Sequence, residues 1–453
     1  MEENKNGMKR ALKDRHIQMI ALGCAIGTGL FYGSASAIQL AGPAIMVSYL
    51  IGGLFIYLVV RALSEMSVYN PVSGSFSTYA YEYWGDFPGF LAGWNYWFNY
   101  VAISMVEVSV VGIYMNFWFP DLPIWVSGLG LFVLINAINL LDVRVFGEVE
   151  FWGALVKVLA IIFMILFGLL IIFFGVGVDA PIGFDNLVSH GGFMPKGIYG
   201  VLLSFVVVTF AFGGTELIGI AAGEAENPTQ TIPRAVNLII GRIVIFYVGS
   251  MFVLVTLYPW DKVGLEGSPF VEIFMKLGIS GAATLLNIIV LTAVLSAYNS
   301  CLYSNARMLH GLAQQGNAPA FLGRLSRRGV PTAGVFVSSL FVAIVVVLNM
   351  LIPGKVFGYV MSIATAAALI NWIMILFTQI RFRRHIGEAA AAKLSYRMPF
   401  FPYANYIAIA YFAMIGIVMF TMEDFRIAVS LAPVWMLLIY LGYRCKQKRH
   451  QQG

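Results

Sequence analysis

Three ionisable side chains of this 453-residue chain lie inside long apolar segments: Glu107, Lys157 and Glu216. A charge in hydrocarbon is costly, so such residues usually pair, line a polar cavity or carry protons. We predict roles in proton coupling or gating for all three. Each has a structural alternative. Glu107 could hydrogen-bond to a neighbouring helix, Lys157 could extend towards the aqueous surface, and Glu216 could stabilise a helix end.

Two clusters of small residues interrupt apolar segments, and the second ends at Glu216. Residues 25–29 read AIGTG, and residues 212–216 read FGGTE. Glycine weakens a helix interior by about 1 kcal/mol relative to alanine. In hydrocarbon, opened main chain is tolerated only where protein covers it or a cavity adjoins it. Interruptions at matching places in two halves indicate a transporter's binding site, although close helix packing is the simpler explanation of either cluster alone.

The backbone dipoles at these interruptions suggest a ligand. A half-helix that begins near Gly29 would direct free N–H groups at the membrane midplane, and one that ends near Phe212 would direct free carbonyls there. Carboxylates suit such amides and ammonium groups suit such carbonyls, so the site would bind a zwitterion. The predicted substrate-binding residues are Ala25, Ile26, Gly27, Thr28, Gly29, Phe210, Ala211, Phe212, Gly213, Gly214 and Thr215.

The composition places these residues in a membrane. The chain is 60% hydrophobic and 11% charged, whereas soluble domains are about 25% charged. Long apolar runs without strand alternation predict an all-α integral membrane protein. Twelve helical spans are expected, at 17–40, 44–63, 90–118, 124–141, 151–174, 198–222, 238–257, 279–303, 333–352, 357–380, 403–422 and 427–443. They are numbered spans 1 to 12 below.

The two interruptions fall in spans 1 and 6. Span 6 follows span 1 by five positions, an odd number, so the second half must be inverted in the membrane. We therefore predict a five-plus-five inverted repeat followed by two extra helices. The expected organisation is a tail at 1–15, a single domain at 16–443 and a second tail at 444–453. Repeat one covers 16–175, repeat two covers 198–380, and the extra helices cover 403–443; residues 175–197 and 381–402 are connectors.

The charge pattern indicates the orientation. Most of the 28 lysines and arginines fall in the two tails and in the connectors on their side of the membrane. Positive charge favours the cytoplasmic side, so both termini are predicted there, in a cytoplasmic membrane. The net charge of +6 is explained by this bias, and no nucleic-acid partner is expected. The three scattered cysteines form no CxxC pair or Cys/His cluster, so neither a metal nor a cofactor is expected.

Several motifs point to a family. Residues 21–31, ALGCAIGTGLF, resemble the first-helix motif of bacterial amino acid permeases of the amino acid–polyamine–organocation superfamily. Glu65-Met66 with Pro71 is similar to the signature after their second helix, and GEAENP at 223–228 to the loop after their sixth. The resemblance is to the amino acid transporter subgroup, especially its proline- and threonine-type permeases.

The resemblance implies a LeuT-type fold with helices 1 and 6 broken, and secondary active transport usually coupled to protons. It implies that amine-binding carbonyls fall on Ala25, Phe210, Ala211 and Gly213, and that carboxylate-binding amides fall on Thr28 and Gly29. It further implies that the ammonium of Lys157 replaces a bound sodium ion of other members.

We therefore expect an importer of a neutral amino acid, proline or threonine being favoured by resemblance, that works by proton symport and alternating access. The partners are the amino acid, H⁺ and membrane lipid. An amino acid exchanger is the main alternative. A channel would need a repeated polar stripe, which no span has, and an enzyme would need a pattern such as HExxH or GxSxG, which the chain lacks.

Overall fold

The computed structural model describes residues 26–72, 75–140, 143–217, 219, 227–264, 267–327 and 329–452, without the side chains of 75, 143–149 and 449–452. Throughout these ranges the secondary structure is helical and no strand occurs. Long apolar runs fold this way because a helix satisfies its backbone hydrogen bonds within one segment, as hydrocarbon requires.

A described helix lies over each predicted span. In chain order the helices are Thr28–Phe31 and Gly33–Ala41 in span 1, Ile45–Tyr69 in span 2, Asp86–Met115 in span 3, Ile124–Asn139 in span 4, Val143–Phe174 in span 5, Gly197–Ala211 in span 6, Pro228–Asn237, Ile239–Arg242, Ile243–Gly249 and Ser250–Leu257 in span 7, Ser280–Gln314 in span 8, Thr332–Leu351 in span 9, Val356–Ala391 in span 10, Tyr403–Thr421 in span 11, and Glu423–Gln452 in span 12.

Nine continuous helical runs in the described ranges are long and apolar enough to cross a membrane, where Gly33–Tyr69 counts as one run. The helices Ile124–Asn139 and Gly197–Ala211 are apolar but shorter. This architecture is that of a multi-pass membrane protein, since about 20 apolar residues are needed to cross a bilayer.

The helices differ from the predicted spans mainly at their ends. The connector expected at 381–402 is helical as far as Ala391, with a kink at Gly387, whose φ is 77°. The helix of span 12 likewise continues to Gln452, through residues predicted as a tail. Two short helices, Ser75–Tyr83 and Pro269–Lys276, occupy connectors. Helices continue into polar residues beyond the apolar run. Hydropathy therefore predicts that a span exists more accurately than it predicts where the helix begins and ends.

Span 3 lies at the centre of the bundle and packs against spans 8 and 10. Its Asn95 is fully buried and donates to the carbonyl of Ala367 at 3.0 Å and to Oδ1 of Asn371 at 2.7 Å. Trp435 of span 12 donates to Asn95 Oδ1 at 3.0 Å. Polar bonds of this kind hold apolar helices together where lipid supplies no hydrophobic driving force.

Span 7 contains a π-helical turn at Ile243–Gly249. Such a turn has one residue more per hydrogen-bonded ring than an α-helix and widens the helix locally. The hydroxyl of Tyr247, within this turn, donates to the carbonyl of Ala211 at 3.2 Å. The widened turn thus contacts the last residue of the span 6 helix.

Candidate functional site

The described part of span 1 begins with non-helical main chain at residues 26–27. Gly27 has an extended conformation, with φ −134° and ψ −162°, and caps the short helix Thr28–Phe31. The first amide to bond inside this helix is that of Leu30, which donates to the carbonyl of Gly27 at 3.0 Å. The amides of Thr28 and Gly29 precede that bond, so they lie at the positive end of the helix.

The helix of span 6 also gives way to non-helical main chain. Its helix ends at Ala211, and residues 212–216 form turns. Gly214 has a φ of 93°, which glycine adopts far more easily than other residues. The amide of Gly213 donates to the carbonyl oxygen of Phe210 at 3.0 Å. The hydroxyl of Thr215 donates to the carbonyl oxygen of Phe212, also at 3.0 Å. A carbonyl has two lone pairs, so these oxygens keep capacity for a ligand's ammonium.

The two interruptions meet. A Cβ atom added to Gly29 would lie 2.5 Å from Cα of Ala211, so only glycine allows this approach. A cavity adjoins the contact and measures about 30 Å³, which is room for roughly two water molecules. The predicted binding residues that line it are Gly27, Thr28, Gly29, Phe210, Ala211, Gly213 and Gly214.

Three other predicted binding residues do not line the cavity. Ile26 is buried in the core, and Thr215 bonds within the turn. The ring of Phe212 packs 4.7 Å from that of Tyr247 and 6.0 Å from that of Tyr49. The turn of span 6 places the side chains of Phe212 and Thr215 away from the cavity, which a contiguous sequence motif does not reveal. Ala25 lies outside the described residues.

Glu107 of span 3 lies in the cavity wall. Its Oε2 accepts a hydrogen bond of 2.5 Å from the hydroxyl of Thr28, and the backbone of Thr28 also bonds to this carboxyl group. A Cβ atom added to Gly27 would lie 3.5 Å from the Oε1 atom of Glu107. An acidic group therefore sits against the opened start of span 1, the end that attracts negative charge.

Lys157 is fully enclosed, so its ammonium does not extend to the aqueous surface. It attracts two buried carboxyl groups, those of Glu107 and Glu150. Glu150 also accepts a hydrogen bond of 2.8 Å from the hydroxyl of Ser296 in span 8. The sequence reasoning missed the attraction between Glu150 and this lysine, although the two are seven residues apart and two helical turns place them on one face.

Glu216 is buried beside the turn of span 6 rather than in the cavity wall. The hydroxyl of Tyr100 and the indole N–H of Trp372 both donate to its carboxyl group at 3.4 Å. Span 6 is thereby linked to spans 3 and 10. This arrangement fits the structural alternative, stabilisation of the interruption, and Tyr100 stands between the carboxyl group and the cavity.

The remaining cavity wall comes from residues that the motifs did not indicate. Tyr100 and Ile103 lie on span 3 one turn apart, preceding Glu107 on the same helix face. The others are Leu217 of span 6 and Ala297, Ser300 and Cys301 of span 8. Spacing from Glu107 would have identified the span 3 residues; no comparable signal marks those of span 8. Within the described ranges, no three His, Cys, Asp or Glu residues gather as a metal site would require.

An enclosed cavity between two interrupted helices of an apolar bundle defines a transporter of the multi-pass membrane class. A family model described as amino acid permease matches residues 16–452. The chain belongs to this family, whose members are transporters and not enzymes.

The curated relatives match nearly the whole chain. The aromatic amino acid transport protein AroP of Salmonella typhimurium is 49% identical over 451 residues, which cover 99% of this chain and 98% of the relative. That of Escherichia coli K12 is 49% identical over 452 residues with the same coverage. The uncharacterized amino acid permease YtnA of Bacillus subtilis is 46% identical over 444 residues, 98% of this chain and 96% of its own. The expected amino acid permease family is confirmed, but the AroP relatives are aromatic amino acid transport proteins and not the expected proline- or threonine-type permeases.

Proposed function

We propose that this permease imports an aromatic amino acid into the cell by proton symport and alternating access. The observation that carries the proposal is the meeting of two opened helices at one cavity, with amides on one side and carbonyls on the other. The substrate's carboxylate would bind the amides of Thr28 and Gly29. Its ammonium would bind the carbonyls of Phe210, Ala211 and Gly213. Main chain of this kind recognises the part that all amino acids share.

The geometry of Glu107 supports proton coupling. This carboxyl group bonds to Thr28, where the substrate's carboxylate would bind. Two ionised carboxylates in one enclosed site repel, so one of them must be neutralised or displaced. Proton uptake by Glu107 would remove the repulsion, and binding of substrate and proton would then be linked. Lys157 would supply one positive charge, which offsets one of the two acids Glu107 and Glu150 when no proton is bound.

The aromatic substrate is inferred from the relatives' names and from the lining. The walls beside the main-chain groups are largely apolar, formed by Ile103, Leu217 and Cys301, with the ring of Tyr100 among them. At about 30 Å³ the cavity is far smaller than an amino acid, since ligand sites usually measure ~300–1,000 Å³. The helices must therefore separate to admit substrate, as alternating access requires.

The inverted repeat of 16–175 and 198–380, with both termini in the cytoplasm, belongs to the same proposal. Helices of one bundle would rock against the rest about the fixed site. The interruptions occupy corresponding places in spans 1 and 6, which is the arrangement that such a repeat produces.

Uptake into liposomes tests the proposal. Purified protein should take up radiolabelled phenylalanine, tyrosine or tryptophan faster under an inward proton gradient, and proline or threonine in excess should not compete. Glu107→Gln should retain exchange of labelled for unlabelled substrate and lose the gradient's acceleration. The exposed Glu423→Gln is the matched control and should behave as wild type.

Lys157→Ala should also remove the acceleration, because Glu107 and Glu150 both lose the one positive charge that attracts them. Gradient dependence that survives in either site variant would exclude that residue from coupling. Exchange without net gradient-driven uptake in the wild type would replace symport by antiport, and competition by proline or threonine alone would reject the aromatic substrate.

A further inference from the structure

A second cavity lies at the end of the span 10 helix and the start of span 11, far along the chain from the substrate site. It measures about 580 Å³. Its chemistry differs from that of the first cavity, since three arginines face one acid there. The residues that matter to its chemistry are Arg383, Arg384, Glu388, Arg397, Phe401 and Tyr406.

One of the arginines is held in place by a buried acid. Arg383 donates to the carboxylate of Glu65 through Nε at 2.5 Å and Nη2 at 2.7 Å, and its guanidinium lies 4.9 Å from the ring centroid of Phe401. Glu65, at the end of span 2, is fully buried and also accepts from Gln379 at 2.7 Å. This pair is neutral as a unit, and it fixes the inner wall of the cavity.

The remaining charges leave the cavity positive. Arg384 and Arg397 are exposed, and Glu388 offsets one of them. The carbonyl of Arg397 accepts a bond of 2.8 Å from Nε of Arg61, so span 2 also anchors the connector that carries this arginine. One uncompensated positive charge matches one phosphodiester, and guanidinium groups bind phosphate oxygens with paired hydrogen bonds.

The rim of the cavity is apolar and aromatic. Tyr406 is 46% exposed, and its helix continues with Ile407, which is 59% exposed. Tyr403 and Phe400 beside them are 72% and 85% exposed. Aromatic side chains favour the interface between headgroups and acyl chains. A free phosphate ion would leave this apolar surface exposed, whereas the acyl chains of a lipid would cover it.

We propose that this cavity binds the headgroup of an anionic phospholipid, with the phosphate at Arg384 and Arg397 and the acyl chains along the exposed face of span 11. Basic pockets between membrane helices bind anionic headgroups for this reason. The lipid would join span 10, span 11 and, through Arg61 and Glu65, span 2.

Native mass spectrometry of the full-length protein in detergent tests this site, with phosphatidylglycerol and phosphatidylcholine as probes. Phosphatidylglycerol should remain bound and raise the Tm more than phosphatidylcholine. The double variant Arg384→Gln/Arg397→Gln should bind phosphatidylglycerol roughly 30-fold more weakly, because each arginine near a lipid surface contributes several-fold in affinity. The conservative Arg384→Lys/Arg397→Lys should keep most of the binding and shows that folding is not the cause.

The matched control is Arg324→Gln/Arg327→Gln, which removes two exposed arginines elsewhere. It should bind phosphatidylglycerol as the wild type does. Three outcomes would overturn the site. The two lipids could bind equally well, the control could lose as much phosphatidylglycerol binding as the Arg384→Gln/Arg397→Gln variant, or that variant could bind phosphatidylglycerol as the wild type does. Protection by inorganic phosphate equal to that by phosphatidylglycerol would overturn the lipid and leave a site for a free anion.

Discussion

The close approach of spans 1 and 6 can be tested with one methyl group. In Gly29→Ala the new Cβ would lie 2.5 Å from Cα, 3.0 Å from N and 3.1 Å from Cβ of Ala211. Carbon atoms are comfortable at ~3.5–4.0 Å, so the two main chains must separate by about 1 Å. Overpacking of this kind costs ~1–3 kcal/mol, and backbone atoms cannot rotate away as a flexible side chain would.

The cost should appear in two measurements. Thermal unfolding of the purified protein should show a lower Tm, and equilibrium binding of the labelled amino acid should weaken by ~5–150-fold, because the displaced residues also line the cavity. Adding Ala211→Gly to Gly29→Ala removes the clash between the two methyl groups but leaves the clash with the main chain of residue 211, so it should restore only part of the loss.

Gly416→Ala is the matched control. Gly416 lies within the span 11 helix, and a Cβ there would meet nothing within 4 Å. This change should leave binding unaltered and stabilise slightly, since alanine favours helix by ~1 kcal/mol over glycine. Wild-type Tm and affinity in Gly29→Ala would refute the close approach of the two main chains and the site built on it.

Two further predictions contrast a buried ion pair with an exposed one, both measured by thermal unfolding. Arg383→Gln should cost ~3–5 kcal/mol, because it leaves the enclosed Glu65 without its cation; a change below about 1 kcal/mol would show that water reaches this acid. Lys276→Ala should cost at most ~0.5 kcal/mol, because its 2.6 Å pair with Glu272 is solvent-exposed. The hydrogen bond to Glu272 raises the pKa of Lys276. The contribution should therefore persist from neutral pH up to the unfolded pKa of about 10.4 and be lost as the pH rises through the raised folded pKa; a loss near neutral pH would contradict this assignment.

The sequence predicted the helices, and the non-helical main chain at residues 26–27 and 212–216, from local chemistry. Long apolar runs must become helices in lipid, and clustered glycines weaken a helix wherever they occur. Gly27, Gly29 and Gly213 were assigned to the site on that ground, and they line its cavity. Phe212 was assigned with them but packs elsewhere, because the direction of a side chain in an irregular turn depends on dihedral angles that glycine leaves free.

Contacts between distant parts of the chain could not be predicted. Thr28 and Glu107 are 79 positions apart, and their hydrogen bond depends on how spans 1 and 3 pack. The bond between Glu65 and Arg383 joins residues 318 positions apart. Each residue was visible as a polar group in an apolar setting, and burial requires such a group to find a partner. The identity of the partner follows only from the fold.

The π-turn of span 7 has a consequence for changes in chain length. The π-helical turn at Ile243–Gly249 holds one residue more than an α-helical turn would, so the helix already accommodates a one-residue insertion there. Deleting one residue there would restore regular α-helix and leave the flanking parts of span 7 in register with their neighbours. Tyr247 would then lose its place beside the carbonyl of Ala211. In an ordinary α-helix, the same deletion would rotate everything beyond it by about 100°.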